Sequence, residues 1–359
     1  MITKLIETVY SFLWGDLIQI PLPGGSSVGI SLLIILLIPM GIYFTVRTRF
    51  LPIRLFPDMV RALVGTKAKK DADGKSEKKE KKEKSSLSTF QTLIVSTATR
   101  VGMGNLVGVV AAISAGGAGA VFWMWVSALL GMCTKFTEVT LAVHFRERNR
   151  HGDYVGGPMY YIKNGLGKNW RFLAVLYSAF GVLTVFGTGN ATQVNTITTA
   201  IDTALINFNV ISESSTGRLN LILGIVITLL VGMVLLGGIK RIGSVSEKLV
   251  PFMALFYIVL ALGVVILNIG RVPAVFHDIV YGAFNPSAVT GGVIGSFFLS
   301  MKKGVSRGIF SNEAGLGTGS IAHACADTSK PVKQGMFGIF EVFADTIVIC
   351  TLTALVILC

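Results

Sequence analysis

Long apolar stretches recur along the 359 residues and limit the kinds of structure that this sequence can form. Most are about 17–25 residues or longer, the length that crosses a hydrocarbon core of roughly 30 Å. Only 14% of the residues are charged, whereas a soluble domain carries about 25%. The sequence therefore predicts an all-α, polytopic membrane protein. The stretches are residues 28–46, 106–143, 172–186, 219–236, 249–267 and 335–359.

The basic residues gather in alternate connections between these stretches, and the net charge of the chain is +13. Residues 47–84 hold 13 Lys and Arg, and residues 144–171 hold six. Smaller basic groups occur in residues 238–248 and 326–334. Because cytoplasmic loops carry the Lys and Arg excess, we expect these four segments inside the cell and the N-terminus outside. The basic charge then reflects topology in a lipid bilayer and not a nucleic-acid partner.

The segments around the first apolar stretch have separate predicted roles. Residues 1–27 are expected to form an outer amphipathic segment, helical through residue 23. Residues 28–46 are predicted to be a transmembrane helix, and residues 47–87 a basic cytoplasmic linker. Further along the chain, residues 271–286 are expected to form an outer loop.

Two apolar segments are interrupted by polar, glycine-rich chain. Residues 97–125 contain Arg100 beside several glycines and hydroxyl groups. In the second segment the apolar run 290–301 is too short to span, and K-K-G-V-S-R-G and S-N-E-A-G-L-G follow it. Irregular chain at membrane depth is tolerated where it lines a polar cavity. Five crossings separate the two segments, which are predicted to run in opposite directions, a pattern typical of a transporter's midplane site.

Several motifs resemble the sodium:alanine symporter family, the alanine or glycine:cation symporters. They are R-V-G-M-G-N-L-V-G-V (100–109), G-G-A-G-A-V-F-W-M-W-V-S-A-L-L-G (116–131), S-N-E-A-G-L-G (311–317), I-A-H-A (321–324) and D-T-I-V-I-C-T-L-T-A-L-V-I-L (345–358).

This resemblance implies the leucine-transporter fold, in which two inverted five-helix repeats each begin with a helix unwound at mid-membrane. Residues 88–270 would be the first repeat, behind the extra N-terminal helix. Residues 271–359 would start the second repeat, with a broken helix at 290–326 and a helix at 335–359. Members of the family usually continue further, so we expect the C-terminal helices of the second repeat to be missing here.

The resemblance also implies a function. We expect sodium-coupled symport of a small neutral amino acid, alanine or glycine, across the plasma membrane of a prokaryote. Na⁺ would be the coupling ion, and no organic cofactor is expected.

The first interruption contains residues that we expect to bind substrate and sodium. Its glycines permit backbone conformations that other residues resist, so freed N–H groups at a helix start would face the substrate carboxylate. The Thr99 hydroxyl and the Asn105 amide are oxygen donors suited to sodium. The alternative is that the small residues serve only tight helix packing. The candidate substrate residues in this interruption are Thr97, Thr99, Arg100, Val101, Gly102 and Gly104.

Arg100 has two interpretations. It could supply positive charge near the substrate carboxylate. Alternatively, it could form a structural ion pair with Glu313, Glu341 or Asp345, or extend to the interface. Glu341 and Asp345 are four residues apart on one helix face, so they could also titrate as a proton site.

Amides in the third core helix are further candidates for substrate binding. Asn190, Gln193 and Asn195 could contact the ammonium and carboxylate of an amino acid, or they could form interhelical hydrogen bonds.

The second interruption supplies a predicted lid and a predicted gate. Phe297, Phe298 and Ser300 are expected to close the substrate pocket. Glu313 could pair with Arg307 as part of an inner gate.

Other functions are less consistent with the sequence. The four histidines have no metal-ligand spacing, and no nucleophile elbow or phosphate loop is present, so an enzyme is not expected. A proton-coupled carrier or a passive facilitator or channel remains the alternative.

Overall fold

The computed structural model describes Lys4, Glu7 and residues 18–21, 27–68, 87, 89–98, 100–285 and 292–359. The described chain is mostly helical, and its short strands form two antiparallel hairpins. The predictions for residues 1–17 and 69–86 fall largely outside these residues, as does the one for Thr99.

The N-terminal region differs from the sequence prediction in two places. Strand β1 (Ile18–Pro21) pairs antiparallel with β2 (Ser27–Ile30), and helix α1 (Leu32–Arg47) follows. The helix predicted through residue 23 is therefore wrong over β1, and the first crossing begins at Leu32 instead of residue 28. The β-branched residues of the two strands favour pairing over helix formation.

The predicted linker also contains a helix. Helix α2 (Leu51–Ala68) occupies its first part and meets α1 at a bend of 74°. Arg49 and Phe50, which lie between the two helices, both have positive φ angles. Met59 of α2 is buried in the core, so packing of this side chain stabilises a helix within a basic segment.

The remaining elements follow in chain order. They are α3 (Thr89–Ala98), α4 (Met103–Gly116), α5 (Gly119–His144), β3 (Glu147–Arg148), β4 (Tyr154–Val155), α6 (Pro158–Gly165), α7 (Arg171–Phe186), α8 (Thr192–Asn207), α9 (Thr216–Leu235), α10 (Gly238–Leu267), α11 (Val272–Phe284), α12 (Gly292–Asn312), α13 (Thr318–Ala324), α14 (Pro331–Val342) and α15 (Thr351–Leu358). Wider π-helical turns, Gly187–Ala191 and Phe343–Cys350, join α7 to α8 and α14 to α15.

The lengths and hydropathy of the described helices are those of a multi-pass membrane protein. Six spans among them are long and apolar enough to cross a bilayer, or seven if the bent pair of α1 and α2 counts as one span. They agree with the class of protein that the apolar stretches predict.

Two predicted loops are helical. Residues 238–248 form the first turns of α10, which starts at Gly238 directly after a turn at Leu236 and Gly237. Residues 272–284 form α11, whose Val275, Ile279 and Ala283 lie four residues apart and are all buried. Such a stripe is typical of an amphipathic helix packed along one face. Because this helix is short, the sequence pattern predicts a loop for its residues.

Helix α5 is the centre of the described bundle. Its apolar window is 67% buried, whereas no residue of the α9 window is buried. It packs against α12, α14, α11, α1 and α13, and it contributes residues to two successive apolar clusters along its length.

The two interrupted segments lie side by side and antiparallel. Near one end of the α4–α12 contact, Gly104 approaches Ser311, and near the other, Gly116 approaches Ser300. Beyond the interruptions, Leu87 pairs with the backbone of residues 325–327, which follows α13. The predicted opposite directions of the two segments are therefore confirmed.

Substitutions at two glycines of α4 test this close approach. A Cβ at Gly104 would lie 3.2 Å from the Ser311 Cα, whereas a Cβ at Gly108 would meet nothing within 4 Å. We expect Gly108→Ala to raise the thermal unfolding midpoint, since alanine favours helix by about 1 kcal/mol, and Gly104→Ala to lower it. Equal midpoints for the two variants in detergent would contradict the packing of α4 on α12.

Candidate functional site

The first break, residues 100–102, separates α3 from α4. The Gly102 backbone is extended, and its N–H donates to Oδ1 of Asn105 at 3.0 Å. Asn105 is buried, so its side chain replaces the helical partner that this N–H lost. The first turn of α4 therefore begins inside the bundle, with its N–H groups directed at the break.

The second break, residues 313–317, separates α12 from α13. Gly315 and Gly317 have φ angles of +95° and +77°, a conformation that favours glycine. The Gly315 N–H donates to Oε1 of Glu138 at 2.7 Å, and Nζ of Lys135 donates to the Glu313 carbonyl at 3.4 Å. Thus α5 supplies both a donor and an acceptor to the backbone of the second break.

Arg100 connects the two breaks by charge. Its side chain is buried and forms an ion pair with Glu341 of α14. Its Nε lies 3.7 Å from Oε2 of Glu313, and its Nη2 donates to the Ser96 hydroxyl at 2.8 Å. Of the alternatives for Arg100, the structure therefore contains ion pairs with Glu341 and Glu313 but not with Asp345.

Asp345 stands in a different environment. Its buried carboxylate accepts hydrogen bonds from the Asn105 amide (2.7 Å), the Ser311 hydroxyl (2.7 Å) and the Thr346 hydroxyl (2.9 Å). Within the described parts of the chain, no basic side chain forms a salt bridge with it. We call Asp345, Asn105, Ser311 and Thr346 the carboxylate cluster.

Glu313 of the predicted inner gate does not pair with Arg307. Glu313 contacts Arg100 and accepts a hydrogen bond from the Thr318 hydroxyl at 2.7 Å. Arg307 forms no salt bridge with any described residue, and a gate pair between it and Glu313 is not present. Glu313 lies in the break with a φ angle of +54°, and its carboxylate contacts Arg100 and Thr318 instead.

The three predicted amides of the third core helix differ in their surroundings. Oε1 of Gln193 faces the first break, 3.9 Å from the position of a Cβ built on Gly102. Asn190 and Asn195 are exposed within the described chain. Thr97 and Val101 flank Arg100 and are half-buried.

The predicted lid residues lie far from the first break. Ser300 is 11 residues before Ser311 on α12, which corresponds to about 16 Å along a helix. Phe297 packs against Trp123 at a ring separation of 5.6 Å, and Phe298 packs against Phe297. The structure therefore does not bring the lid residues together with the Arg100 region. The cause is that α12 is unbroken as far as Asn312, so its polar interruption comes later than K-K-G-V-S-R-G suggested.

Lys135, Glu138, Ser311 and Thr346 were missed as site residues by sequence reasoning. Lys135 and Glu138 could have been found, because charges inside an apolar span are functional candidates and these two are spaced to face one side of α5. Ser311 and Thr346 carry no such signal, since hydroxyl groups are common in membrane helices.

Comparison with known proteins assigns the family. Residues 24–359 match the model of the sodium:alanine symporter family. The chain belongs to this family. Its members are transporters, and the chain is a multi-pass amino acid transporter of the sodium:alanine symporter type.

Individual relatives are similar over most of this chain. An uncharacterized transporter of Haemophilus influenzae is 42% identical over 99% of this chain and 70% of its own length. The sodium/alanine symporter AgcS of Methanococcus maripaludis is 37% identical over 99% of this chain and 70% of its own. The probable sodium/glutamine symporter GlnT of Bacillus subtilis is 40% identical over 91% of this chain and 62% of its own.

A double-mutant cycle tests the ion pair between Arg100 and Glu341. Removing one partner of a buried pair leaves an uncompensated charge and costs about 3–5 kcal/mol. We therefore expect Arg100→Gln and Glu341→Gln each to be strongly destabilising, and the double variant to lose less than their sum. Denaturant unfolding in detergent measures the coupling.

The exposed pair of Glu147 and Lys163, 2.9 Å apart, is the matched control. There the coupling should be below about 1 kcal/mol. Additive effects at Arg100 and Glu341 would contradict the contact between the first break and α14.

Proposed function

We propose that this protein is a secondary active transporter that carries alanine or glycine into the cell together with sodium by alternating access. The observation that carries the proposal is the buried Asp345 carboxylate, which has oxygen-bearing neighbours but no cationic partner among the described residues.

The carboxylate cluster has the chemistry of a sodium site. A buried carboxylate is costly unless a positive charge compensates it. Ser311 and Thr346 add hydroxyl oxygens, and rotation of the Asn105 amide would add another. Helix α12 ends at Asn312, so the negative end of its dipole lies beside the cluster and favours a cation.

The substrate would bind next to this cluster at the first break. The start of α4 is the positive end of a helix dipole and favours a carboxylate. Oε1 of Gln193 faces Gly102 and can accept a hydrogen bond from the substrate ammonium. Opposite ends of two helices thus offer separate positions for the amino acid and the cation. The names of the two relatives, for alanine and for glutamine, support an amino acid as substrate.

We extend the proposal to fold and topology. The antiparallel broken helices support the two inverted repeats of the leucine-transporter fold. The Lys and Arg distribution supports a plasma-membrane location with the N-terminus outside and residues 47–87 in the cytoplasm. On the predicted cytoplasmic side, Arg146 donates to the carbonyls of Ala324, Ala326 and Thr328 and holds the end of the second broken segment.

Uptake by proteoliposomes tests the proposal. With an inward sodium gradient we expect the full chain to concentrate labelled alanine. Asp345→Asn keeps the shape of the side chain but removes its charge, so it should lower sodium-driven uptake at least about tenfold, which corresponds to about 1.4 kcal/mol.

Asp202→Asn is the matched control, because it is the same change on α8, where Asp202 contacts Asn220 of α9. It should retain sodium-driven uptake. Retained sodium dependence in Asp345→Asn would contradict the sodium site. If the unsubstituted protein carries alanine only downhill and at a rate that does not depend on sodium, the passive alternative is favoured. Alanine flux driven by a proton gradient alone would favour the proton-coupled alternative.

A further inference from the structure

His323 of α13 is fully buried and has a polar contact at each ring nitrogen. Its Nε2 lies 2.8 Å from Oε1 of Glu341, and its Nδ1 lies 2.8 Å from Nε2 of Gln334. The other oxygen of Glu341 contacts Arg100. A continuous line of contacts therefore runs from Gln334, in the first turn of α14, through the imidazole to the first break.

Gln334 can accommodate the imidazole with or without a second proton. With the amide nitrogen toward the ring, Nδ1 accepts a hydrogen bond and the imidazole is neutral. Rotating the amide presents Oε1, which can accept a hydrogen bond from a protonated Nδ1. In the structure Oε1 of Gln334 is buried and has no hydrogen-bond partner in the described chain, so this rotation breaks no existing contact of that oxygen.

The charges connected to His323 do not balance when the ring is neutral. Arg100 and Lys135 contribute two positive charges, whereas Glu138, Glu313 and Glu341 contribute three negative charges, and ion pairs and one backbone hydrogen bond join all five residues. Unbalanced charge is unfavourable in a buried site. One proton on His323 would bring this group, which we call the charge network, to a formal charge of zero.

The charged groups around the ring come from each neighbouring element. Glu341 reaches it from α14, Arg100 from the first break, and Lys135 and Glu138 from α5. Glu313 lies at the second break. Helix α3 has no titratable residue. Arg146 contacts the C-terminal end of α13 and covers the Tyr154 ring of β4. Tyr161 belongs to α6, which packs against α13, and the Tyr177 hydroxyl donates to the Leu316 carbonyl just before α13.

We propose that His323 is a proton-binding site linked to transport. The proposal rests on the proposed sodium-coupled function, and it adds a second ion with its own site, separate from the carboxylate cluster. Binding of a proton draws Glu341 toward the imidazolium and weakens its hold on Arg100, the side chain that connects both breaks. Sodium-driven uptake therefore depends on pH.

The first test compares pH profiles of uptake at a fixed sodium gradient, with equal pH on both sides of the proteoliposome membrane. We expect the rate of the unsubstituted protein to change at least about threefold through one transition between pH 5 and 8. His323→Gln keeps hydrogen-bonding capacity but cannot be charged, and its profile should be flat. His277→Gln, at an exposed histidine on α11, should match the unsubstituted protein. A full transition in His323→Gln would overturn the proposal.

A second variant separates protonation from loss of packing. Gln334→Glu places a carboxylate beside Nδ1 and favours the imidazolium. The midpoint of the pH profile should move up by about one pH unit. An unchanged midpoint in a folded, active Gln334→Glu protein would overturn the proposal.

Thermal unfolding distinguishes this proposal from the proposed function. If the unsubstituted protein shows no sodium-driven uptake at any pH, the proposed function fails. Proton binding is still decided by the unfolding midpoints of the purified protein and His323→Gln between pH 5 and 8. The difference between the two midpoints should change with pH, whereas parallel curves would overturn a proton site at His323.

Discussion

Two interruptions of helical structure inside an apolar bundle leave backbone N–H and C=O groups without their usual partners, and the hydrocarbon region has no water to replace them. Side chains must therefore meet this need. Asn105 does so at the first break, and Glu138 and Lys135 do so at the second. The central position of α5 follows from this requirement, because it carries the two charged residues that support the second break.

The same polar side chains create two groups that each lack one positive charge. Asp345 has hydroxyl and amide donors but, within the described chain, no cation in contact, which suits a sodium ion. The charge network around Arg100 has one more carboxylate than it has cations, which suits a proton on His323. Each group includes a carboxylate from α14 and its π-helical extension, Glu341 in the charge network and Asp345 in the carboxylate cluster, so occupancy of one site can influence the other through this shared backbone. Under the proposed function, the substrate carboxylate would bind nearby, at the positive N-terminal end of α4.

Much of this arrangement could be predicted from the sequence, and the limits of prediction have physical causes. Glycines and Arg100 inside an apolar span indicate a break. Because Asn105 stands at the start of the next helix, its role at this break could also be predicted. The position of the second break could not be fixed, because K-K-G-V-S-R-G interrupts hydropathy but not the helix. For that reason the structure separates Phe297, Phe298 and Ser300 from the first break, although they were expected to close a pocket there. Partnerships such as Glu138 with Gly315, or His323 with Glu341, join residues on different elements, and single-sequence patterns do not report those distances.

The most direct measurement of the central claim is the thermal stability of the purified full chain as sodium replaces choline at constant ionic strength. A cation that binds the folded state alone stabilises it by about 2.7 kcal/mol at a concentration 100 times its dissociation constant. The unfolding midpoint should rise with sodium, and Asp345→Asn should abolish the rise. A midpoint that is indifferent to sodium, or one that rises equally in Asp345→Asn, would contradict a sodium site at the junction of the two breaks.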